Sequence, residues 1–566
     1  MFSHIFCVHL PILSPFQYVI EPARLCRLRS KNGARTGRFR NEMEKESGNA
    51  ERRLTNCSKD DQQSMTIDEF IFRVEQEVGF PPTREQHLAV DCFTRFLACR
   101  EGQSVMILRG SAGTGKTTLA SAMVRTLKRL GQKLVLLAPT GRAAKVFSLN
   151  SGEQASTIHR RIYRQKSLEG GFSLGFNSLR NALFFVDEAS MISTGSSSLF
   201  GDGSLLGSSL LDDLVQFVYG GPGDCRMILI GDPAQLPPVG EEEAPALEAE
   251  VLRNYGLRVF ESTLNEVVRQ EEESGILWNA TQIRSFLPEP NGLDELQEPR
   301  LSPLDIALRI KMFADVRRVP GDELIESLNT SYSHVGTDET IVVTRSNKRA
   351  NIYNMGIRNS ILGREEELTT GDRLMVVKNK YGLPQPLQGE GSNGAADSSS
   401  SGGGAVGSEG LDFIANGDQA VVQRVRNVHE LYGFRFANVW LQFPDYDDYE
   451  LQSLVMLDTL TTEAPALTRE QSEQLFNKVM EDYADVRPKS ERLKKLKEDE
   501  HYNALQVKFA YAVTCHKAQG GQWAHVYIDQ GYVTSEMLDA DYVHWLYTAF
   551  TRATECVFLV NWPNSR

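Results

Sequence analysis

The sequence predicts an α/β protein built from two parallel-sheet domains, the second interrupted by a small β-rich insertion. Three observations predict it: short apolar strands alternate with helical segments, the alternation occurs twice, and a stretch of different character breaks into the second set. Strands that alternate with helices imply right-handed crossovers, and hence parallel sheets covered on both faces. In the first set, Ser104–Leu108 leads through a glycine loop into a helix over Lys116–Leu130, which Gly131 can end. Strands Lys133–Ala138, Ala182–Val186 and Arg226–Ile230 follow. The second set comprises Thr340–Val343, Phe509–Val513, His525–Ile528 and Cys556–Val560. After its first strand comes a Gly/Ser tract, Gly389–Gly410, too polar to pack and read as a flexible loop. Two β-like pieces (Gln419–Val425, Phe434–Gln442) and a charged helical stretch (Glu470–Glu498) complete the insertion. A second Gly/Ser-rich loop, Thr194–Ser209, sits inside the first domain.

The 566 residues allow three or four domains, and 41% hydrophobic with 24% charged residues is the balance of an ordinary core-forming chain. The uncharged start, Met1–Ile20, is broken by two His, two Pro, two Ser and a Gln, so it does not read as a membrane span. Positions 1–40 hold seven Lys/Arg and one Glu, a pattern compatible with an organellar leader but lacking a secretory cleavage site. Residues 1–64 are read as a disordered or mis-started extension. Eight cysteines without a CxxC pair exclude a disulfide framework or zinc ribbon, and a reducing compartment fits. The net charge of -13 is unevenly placed. Glu241–Arg300 carries 14 acidic and 5 basic residues, whereas Glu101–Gly170 carries 3 acidic and 12 basic. A polyanion binds a local surface, so overall acidity does not exclude nucleic acid.

Gly110-Ser-Ala-Gly-Thr-Gly-Lys116-Thr117 fits G-x-x-x-x-G-K-[ST] between a predicted strand and a helix. Its backbone N–H groups and the helix N-terminus suit phosphate. Gly110, Gly113, Thr114, Gly115, Lys116, Thr117 and Thr118 are the candidate ATP-binding residues, with Lys116 reaching the β- and γ-phosphates and Thr117 holding Mg2+. Leu183–Val186 ends in Asp187-Glu188, placing two carboxylates at a strand end. Asp187 is the candidate metal partner, and Glu188 the group that activates water. Gln235 follows another apolar strand and is a candidate γ-phosphate sensor. Arg269 and Arg552 are candidate arginine fingers.

The ordered series of motifs resembles the RecD/Dda-like branch of superfamily 1 helicases over nearly everything from Met65 to Trp562. Its carriers are Thr83–Gln86, Gly110–Thr117, Ala138–Lys145, Ser156–His159, Val186–Met191, Gly231–Gly240, Val267–Gln270, Thr514–Gly521 and Tyr547–Ala553. The resemblance implies two RecA-like P-loop domains with parallel sheets and ATP in the cleft between them. It also implies a small SH3-like insertion in the second domain and a short hairpin insertion in the first. The expected layout is a first domain at 65–262 with the hairpin at about 160–181, and a second at 263–375 and 500–566. The insertion then occupies 376–499, with its loop at 389–410. Gln86 would read adenine, and Lys116, Glu188, Gln235, Arg269 and Arg552 would be catalytic. Thr140, Arg142, Lys145, Thr157 and His159 would touch the DNA backbone from the first domain, and Thr514, His516 and Lys517 from the second. Phe172 or Phe176 would be the wedge of a strand-separating pin.

The implied activity is an ATP- and Mg2+-dependent DNA helicase moving 5′ to 3′ on single-stranded and forked DNA, in repair, recombination or replication. No membrane partner is expected, and the expected setting is a bacterial-type cytoplasm with an organellar address left open. The charge reading agrees independently. The basic stretch includes Arg160-Arg161-Ile-Tyr163-Arg164-Gln-Lys166, where an aromatic sits among cations as single-strand binding requires. An RNA helicase and a P-loop regulatory ATPase that does not translocate are the alternatives.

Overall fold

A computed structural model describes residues 8–10, 18–20, 66–99, 102–167, 170–195, 209–267, 274–287, 310–381 and 413–562. The Gly/Ser loop 389–410, most of the extension 1–64 and Arg269 lie outside the described residues. Within the extension, β1 (Val8–Leu10) and β2 (Tyr18–Ile20) pair antiparallel, an element the sequence does not announce.

The first domain enters through α1 (Ile67–Val78) and α2 (Arg84–Ala98). Thr83 caps α2 in a capping box with Gln86, which satisfies two backbone donors at once. A six-stranded sheet follows, with the order β10-β3-β9-β8-β4-β5 and parallel pairing throughout. Its strands are β3 (Ser104–Gly110), β4 (Lys133–Ala138), β5 (Ala155–Thr157), β8 (Ala182–Val186), β9 (Arg226–Gly231) and β10 (Arg258–Leu264). Between them run α3 (Lys116–Arg129), α4 (Gly141–Ser151), α5 (Ile158–Ile162), the hairpin strands β6 (Tyr163–Ser167) and β7 (Gly170–Leu174), α6 (Leu210–Tyr219) and α7 (Ala249–Asn254). Strand side chains alternate between two cores. Met106, Leu108, Phe185, Ile228 and Ile230 face α1 to α3, while Val105, Ile107, Phe184, Met227 and Leu229 face the core of α5 to α7. Burial on both faces is why these strands read as unbroken apolar runs.

The second sheet has five parallel strands in the order β11-β22-β21-β12-β20. They are β11 (Val316–Val319), β12 (Thr340–Thr344), β20 (Ala512–Thr514), β21 (Trp523–Asp529) and β22 (Ala553–Val560). One face, with Ile341, Val343, Val526, Ile528, Val557 and Leu559, packs on α8 (Gly275–Arg284), the short α13 (Cys515–Ala518) and α14 (Ala540–Phe550). The other face, with Val342, Tyr527 and Phe558, meets α9 (Leu324–His334) and α10 (Asn347–Gly356) and runs on into a closed barrel. That barrel has the order β13-β16-β17-β18-β19, made of Arg373–Val376, Gln419–Leu431, Phe434–Phe443, Tyr449–Met456 and Leu505–Phe509. The short pair β14 (Lys380–Tyr381) and β15 (Phe413–Ile414) lies beside it.

One strand differs from expectation. The apolar run Phe509–Val513 is not one strand, because β19 ends at Phe509 in the barrel and β20 starts at Ala512 in the sheet. Tyr511 turns the chain there: its hydroxyl accepts the Arg373 N–H at 3.1 Å and donates to Asp372 at 3.2 Å. The charged stretch Glu470–Glu498 is helical as expected, in two pieces. It forms α11 (Arg469–Asp482) and α12 (Lys489–Glu498), with Pro488 at the break, where a ring nitrogen cannot extend a helix. No helix among the described residues is long and apolar enough to cross a membrane.

Candidate nucleotide and nucleic-acid site

The carboxyl ends of β3, β8 and β9 bring Lys116, Asp187, Glu188 and Asp232 to one edge of the first sheet, where ligands of open parallel sheets bind. Gly113 and Gly115 both have φ of 80°, the left-handed region that lets the loop curl. No side chain caps the N-terminus of α3, so its first-turn N–H groups remain for an anion. A Cβ on Gly110 would come within 2.8 Å of the Lys116 Cγ and the Thr114 Oγ1, so the lysine folds over a position where only glycine fits. The Lys116 ammonium donates to the Ser111 carbonyl at 3.0 Å and stands 3.9 Å from Asp232 Oδ2. Gln86 is buried, with its amide nitrogen on the Thr114 carbonyl at 3.0 Å and its oxygen accepting the Thr83 N–H at 3.1 Å. It therefore braces the loop from behind. Thr117 is half-buried and Thr118 exposed.

Asp187 is buried, and its carboxyl is held above the usual range by desolvation and then by Glu188, with Lys116 opposing. Glu188 adopts φ 51° and ψ 40°, an unfavourable conformation for a residue with a Cβ, and donates its N–H to Asp187 Oδ1 at 2.9 Å. The Thr117 hydroxyl and the Asp187 carboxylate are hard oxygen donors of the kind Mg2+ takes, so the donor set fits that ion.

The opposite lip is α14. His544, Tyr547, Thr548 and Arg552 recur at helical spacing and face the first domain. Arg552 is buried against its own domain, donating to the Thr548 and Gly521 carbonyls, yet its guanidinium stands 3.9 Å from the Glu188 carboxylate. The loop after β9 is fastened to this lip. The Leu236 N–H donates to Thr548 Oγ1 at 2.8 Å, Gln519 donates to the Leu236 carbonyl at 2.6 Å, and the His544 ring is 2.9 Å from the Ala234 carbonyl. Gln235 lies within that loop, buried, its Oε1 without a partner.

The candidate nucleic-acid residues separate into two kinds. Thr140 and Thr157 are N-caps of α4 and α5, accepting the Ala143 and Arg160 N–H groups. His159 is pushed down to about 4 by burial, so it is neutral at neutral pH and can act only as a hydrogen-bonding ring. Arg142 stacks 4.4 Å over Trp523 and donates to the Gln522 carbonyl, while Lys145 donates to the Pro444 carbonyl at 2.8 Å and stands 3.6 Å from Asp445. Both cations thus hold the second domain and its barrel. On the second domain, Thr514 ends β20, His516 is exposed, and the Lys517 ammonium is buried with no partner, lowered to about 8 by desolvation and by Lys508. Gly520 approaches α4 closely enough that a Cβ there would meet Thr140 Oγ1 at 3.0 Å.

The pin assignment needs one correction. Phe172 lies on β7 opposite Gln165, but Phe176 falls two residues beyond the hairpin. The segment after β7 is pinned down instead: the Gly175 N–H donates to the Ile162 carbonyl and Asn177 to the Val218 carbonyl, which leaves the Phe176 ring exposed but off the hairpin. Asp232, Tyr547 and Trp523 were not singled out from the sequence. Asp232 and Tyr547 sit in quoted motifs and Trp523 two residues past one, but their pairing across the cleft has no signature in spacing.

Residues 97–241 match the family model described as an AAA domain, and residues 509–560 match that of the UvrD-like helicase C-terminal domain. The chain is 36% identical over 143 residues to the ATP-dependent RecD2 DNA helicase of Deinococcus radiodurans, covering 24% of this chain and 17% of that protein. It is 29% identical over 192 residues to the ATP-dependent DNA helicase dda of Enterobacteria phage T4, covering 33% of this chain and 39% of that one. The chain therefore spans well under half the length of these relatives. A Bacteroides Pif1 structure bound to ssDNA aligns over 86% of this chain and 93% of its own, at 15% identity and a TM-score of 0.40. Both family matches fall on the strand-end motifs just described, one on each lip of the cleft, and in these segments the chain is similar to superfamily 1 helicases of the RecD/Dda type.

Proposed function

We propose that this chain is an ATP-dependent DNA helicase that couples hydrolysis to 5′-to-3′ movement along single-stranded DNA. The observation that carries the reading is the placement of Lys116 and Glu188 on one lip of a cleft and Arg552 on the other, 3.9 Å from Glu188. A site divided in this way completes itself only on closure, so each turnover changes the relation between the two domains.

In this reading the phosphate loop and Lys116 hold the phosphates, and Glu188 orients the attacking water and accepts its proton. Arg552 offsets the charge that develops on the transferred phosphoryl. Gln235, whose side-chain oxygen lacks a partner, senses the terminal phosphate. Mg2+, held by Thr117 and Asp187, would neutralise charge on the phosphate oxygens when bound. Lys517 supplies a buried, unpaired cation for a strand phosphate, and Arg142 and Lys145 are the first domain's cations on the same path. Arg269 is retained as a second candidate finger. The assigned motor domains are 65–262 and 263–375 with 500–566, with the inserted domain at 376–499; the barrel reaches beyond those bounds, taking its first and last strands from Arg373–Val376 and Leu505–Phe509.

Forked duplexes with either a 5′ or a 3′ single-stranded tail test the proposal, read beside ATPase rates with poly-dT and poly-U. Unwinding of the 5′-tailed fork alone, with turnover stimulated by poly-dT, is expected. Stimulation by poly-U alone would replace the substrate with RNA. ATP hydrolysis indifferent to any single strand would favour a regulatory ATPase instead.

A further inference from the structure

We infer that Tyr547 is a positioning residue that ties the phosphate loop to the second domain, and so couples nucleotide state to the grip on the strand. The inference rests on the motor reading and names a part of its regulation. The Tyr547 ring is fully buried in α14, and its hydroxyl is used twice across the cleft. It accepts the backbone N–H of Ala112, inside the phosphate loop, at 2.8 Å, and it donates to Asp232 Oδ2 at 2.7 Å. Both partners belong to the first domain.

A tyrosine kept only for packing needs one partner for its hydroxyl, and any nearby carbonyl suffices. Tyr547 instead spends donor and acceptor on the two groups that surround Lys116. Asp232 is 1% exposed, its Oδ1 accepts the Ala234 N–H at 3.0 Å, and its Oδ2 is the atom 3.9 Å from the Lys116 ammonium. The bonds made nearby from the second domain by His544, Thr548 and Gln519 end on the loop after β9. Among the described residues, the bond from Tyr547 is the one that reaches the phosphate loop itself.

The consequence is electrostatic. A phosphate arriving at Lys116 draws the ammonium away from Asp232, and Asp232 is left to the Tyr547 O–H alone. Moving α14 conversely frees the Ala112 N–H and unfastens Asp232 beside the lysine. Arg552 follows the same helix by two residues, and the helix's Trp545 carbonyl accepts the thiol of Cys515, next to His516 and Lys517. One hydroxyl therefore links the phosphate site to the helix bearing the finger and to the turn bearing the strand contacts. A link of this kind must act in both directions, since coupling between two binding equilibria is reciprocal.

The test measures binding of a fluorescent dT oligonucleotide by the full-length chain, with and without a non-hydrolysable ATP analogue, and binding of the analogue with and without the oligonucleotide. In the wild type each ligand should change the other's affinity by about tenfold. In Tyr547→Phe the change should fall below about twofold, while each ligand alone binds within about twofold of wild type, because neither single site is removed. Asp232→Asn reaches the same pair from the other side and should give the same loss, and Tyr547→Phe added to it should cost nothing further. Wild-type coupling in Tyr547→Phe, or losses that simply add in the double variant, would overturn the assignment and leave the motor reading standing. A wild type that binds the nucleotide but not the oligonucleotide would overturn both.

Discussion

The Arg552 guanidinium of the second domain stands 3.9 Å from the Glu188 carboxylate of the first, so an arginine and the acid proposed to activate water face each other across the cleft. A contact that spans two bodies forms only when they close, and its loss should slow chemistry rather than binding. Arg552→Ala should therefore bind a fluorescent ATP analogue within a few-fold of wild type yet hydrolyse ATP on the order of a thousandfold more slowly with single-stranded DNA. Loss of nucleotide binding in step with turnover would mean that Arg552 builds the pocket instead.

Among the described residues Lys116 donates to the Ser111 carbonyl alone and faces Asp232 at 3.9 Å, a position from which it can swing to a phosphate. Lys116→Ala should abolish DNA-stimulated ATP hydrolysis while thermal unfolding stays cooperative. Retained turnover in the folded variant would remove the phosphate loop from the mechanism.

These two residues were legible from the sequence because the chemistry needs them at a fixed place relative to a strand end. Apolar runs such as Ala182–Val186 and Lys133–Ala138 coincide with β8 and β4, since strands buried on both faces leave a continuous signal. What spacing did not reveal lies where two distant segments meet. The edge strand β10 alternates half-buried and exposed positions and offers no apolar run, and Phe509–Val513 reads identically whether it serves one sheet or two. Arg142 is legible as a cation in a basic stretch, but its stacking on Trp523, some 380 positions away, is a property of the closed cleft. The same applies to Lys145 and Asp445.

The junction between sheet and barrel depends on Asp372. It is fully buried and takes Arg358 in a two-bond pair at 3.0 and 2.9 Å, with Arg364 at 2.9 Å on one of the same oxygens. The Arg358 guanidinium also lies 4.3 Å over the Phe509 ring. Removing one member strands a buried charge, which costs about 3–5 kcal/mol. Asp372→Ala should lower the urea midpoint of the second domain accordingly, followed by far-UV circular dichroism. A loss below about 1 kcal/mol would show that apolar packing holds this junction without the ion pairs.

Asp418 gives the barrel's contact with α4 a pH dependence. Its Oδ2 accepts the Tyr446 hydroxyl at 2.8 Å and the Ala415 N–H at 2.7 Å, while its Oδ1 is buried without a partner, 2.8 Å from where a Cβ on Gly141 would stand. Burial pushes the carboxyl up to about 7, with Asp445 adding to the rise and Arg160 opposing it. A folded value above the unfolded 3.8 means that this contribution is complete in acid and is lost as pH rises through about 7. The slope is on the order of 1 kcal/mol per pH unit inside that window. Asp418→Asn should flatten the fall in melting temperature between pH 5 and pH 8 and be more stable than wild type at pH 8. Parallel curves for the two proteins would show that the carboxyl is already ionised in the fold.

The hairpin β6–β7 is the remaining structural candidate for separating strands, and its geometry distinguishes the two phenylalanines. Phe172 is on β7 in register with Gln165, so its position is fixed by the ladder. Phe176 follows the strand on a segment pinned to Ile162 and Val218, and its exposed ring projects from the body of the first domain instead of the hairpin. A wedge must lie on the element that meets the fork, and removing it should impair duplex opening while translocation along a single strand continues. Phe172→Ala should thus slow unwinding of a forked duplex by tenfold or so with little change in DNA-stimulated ATPase, a difference of about 1.4 kcal/mol in the opening step. Phe176→Ala should leave both rates near wild type. If Phe176→Ala instead produces the selective unwinding defect, the fork meets the face beside α6, and the hairpin is only a packing insertion.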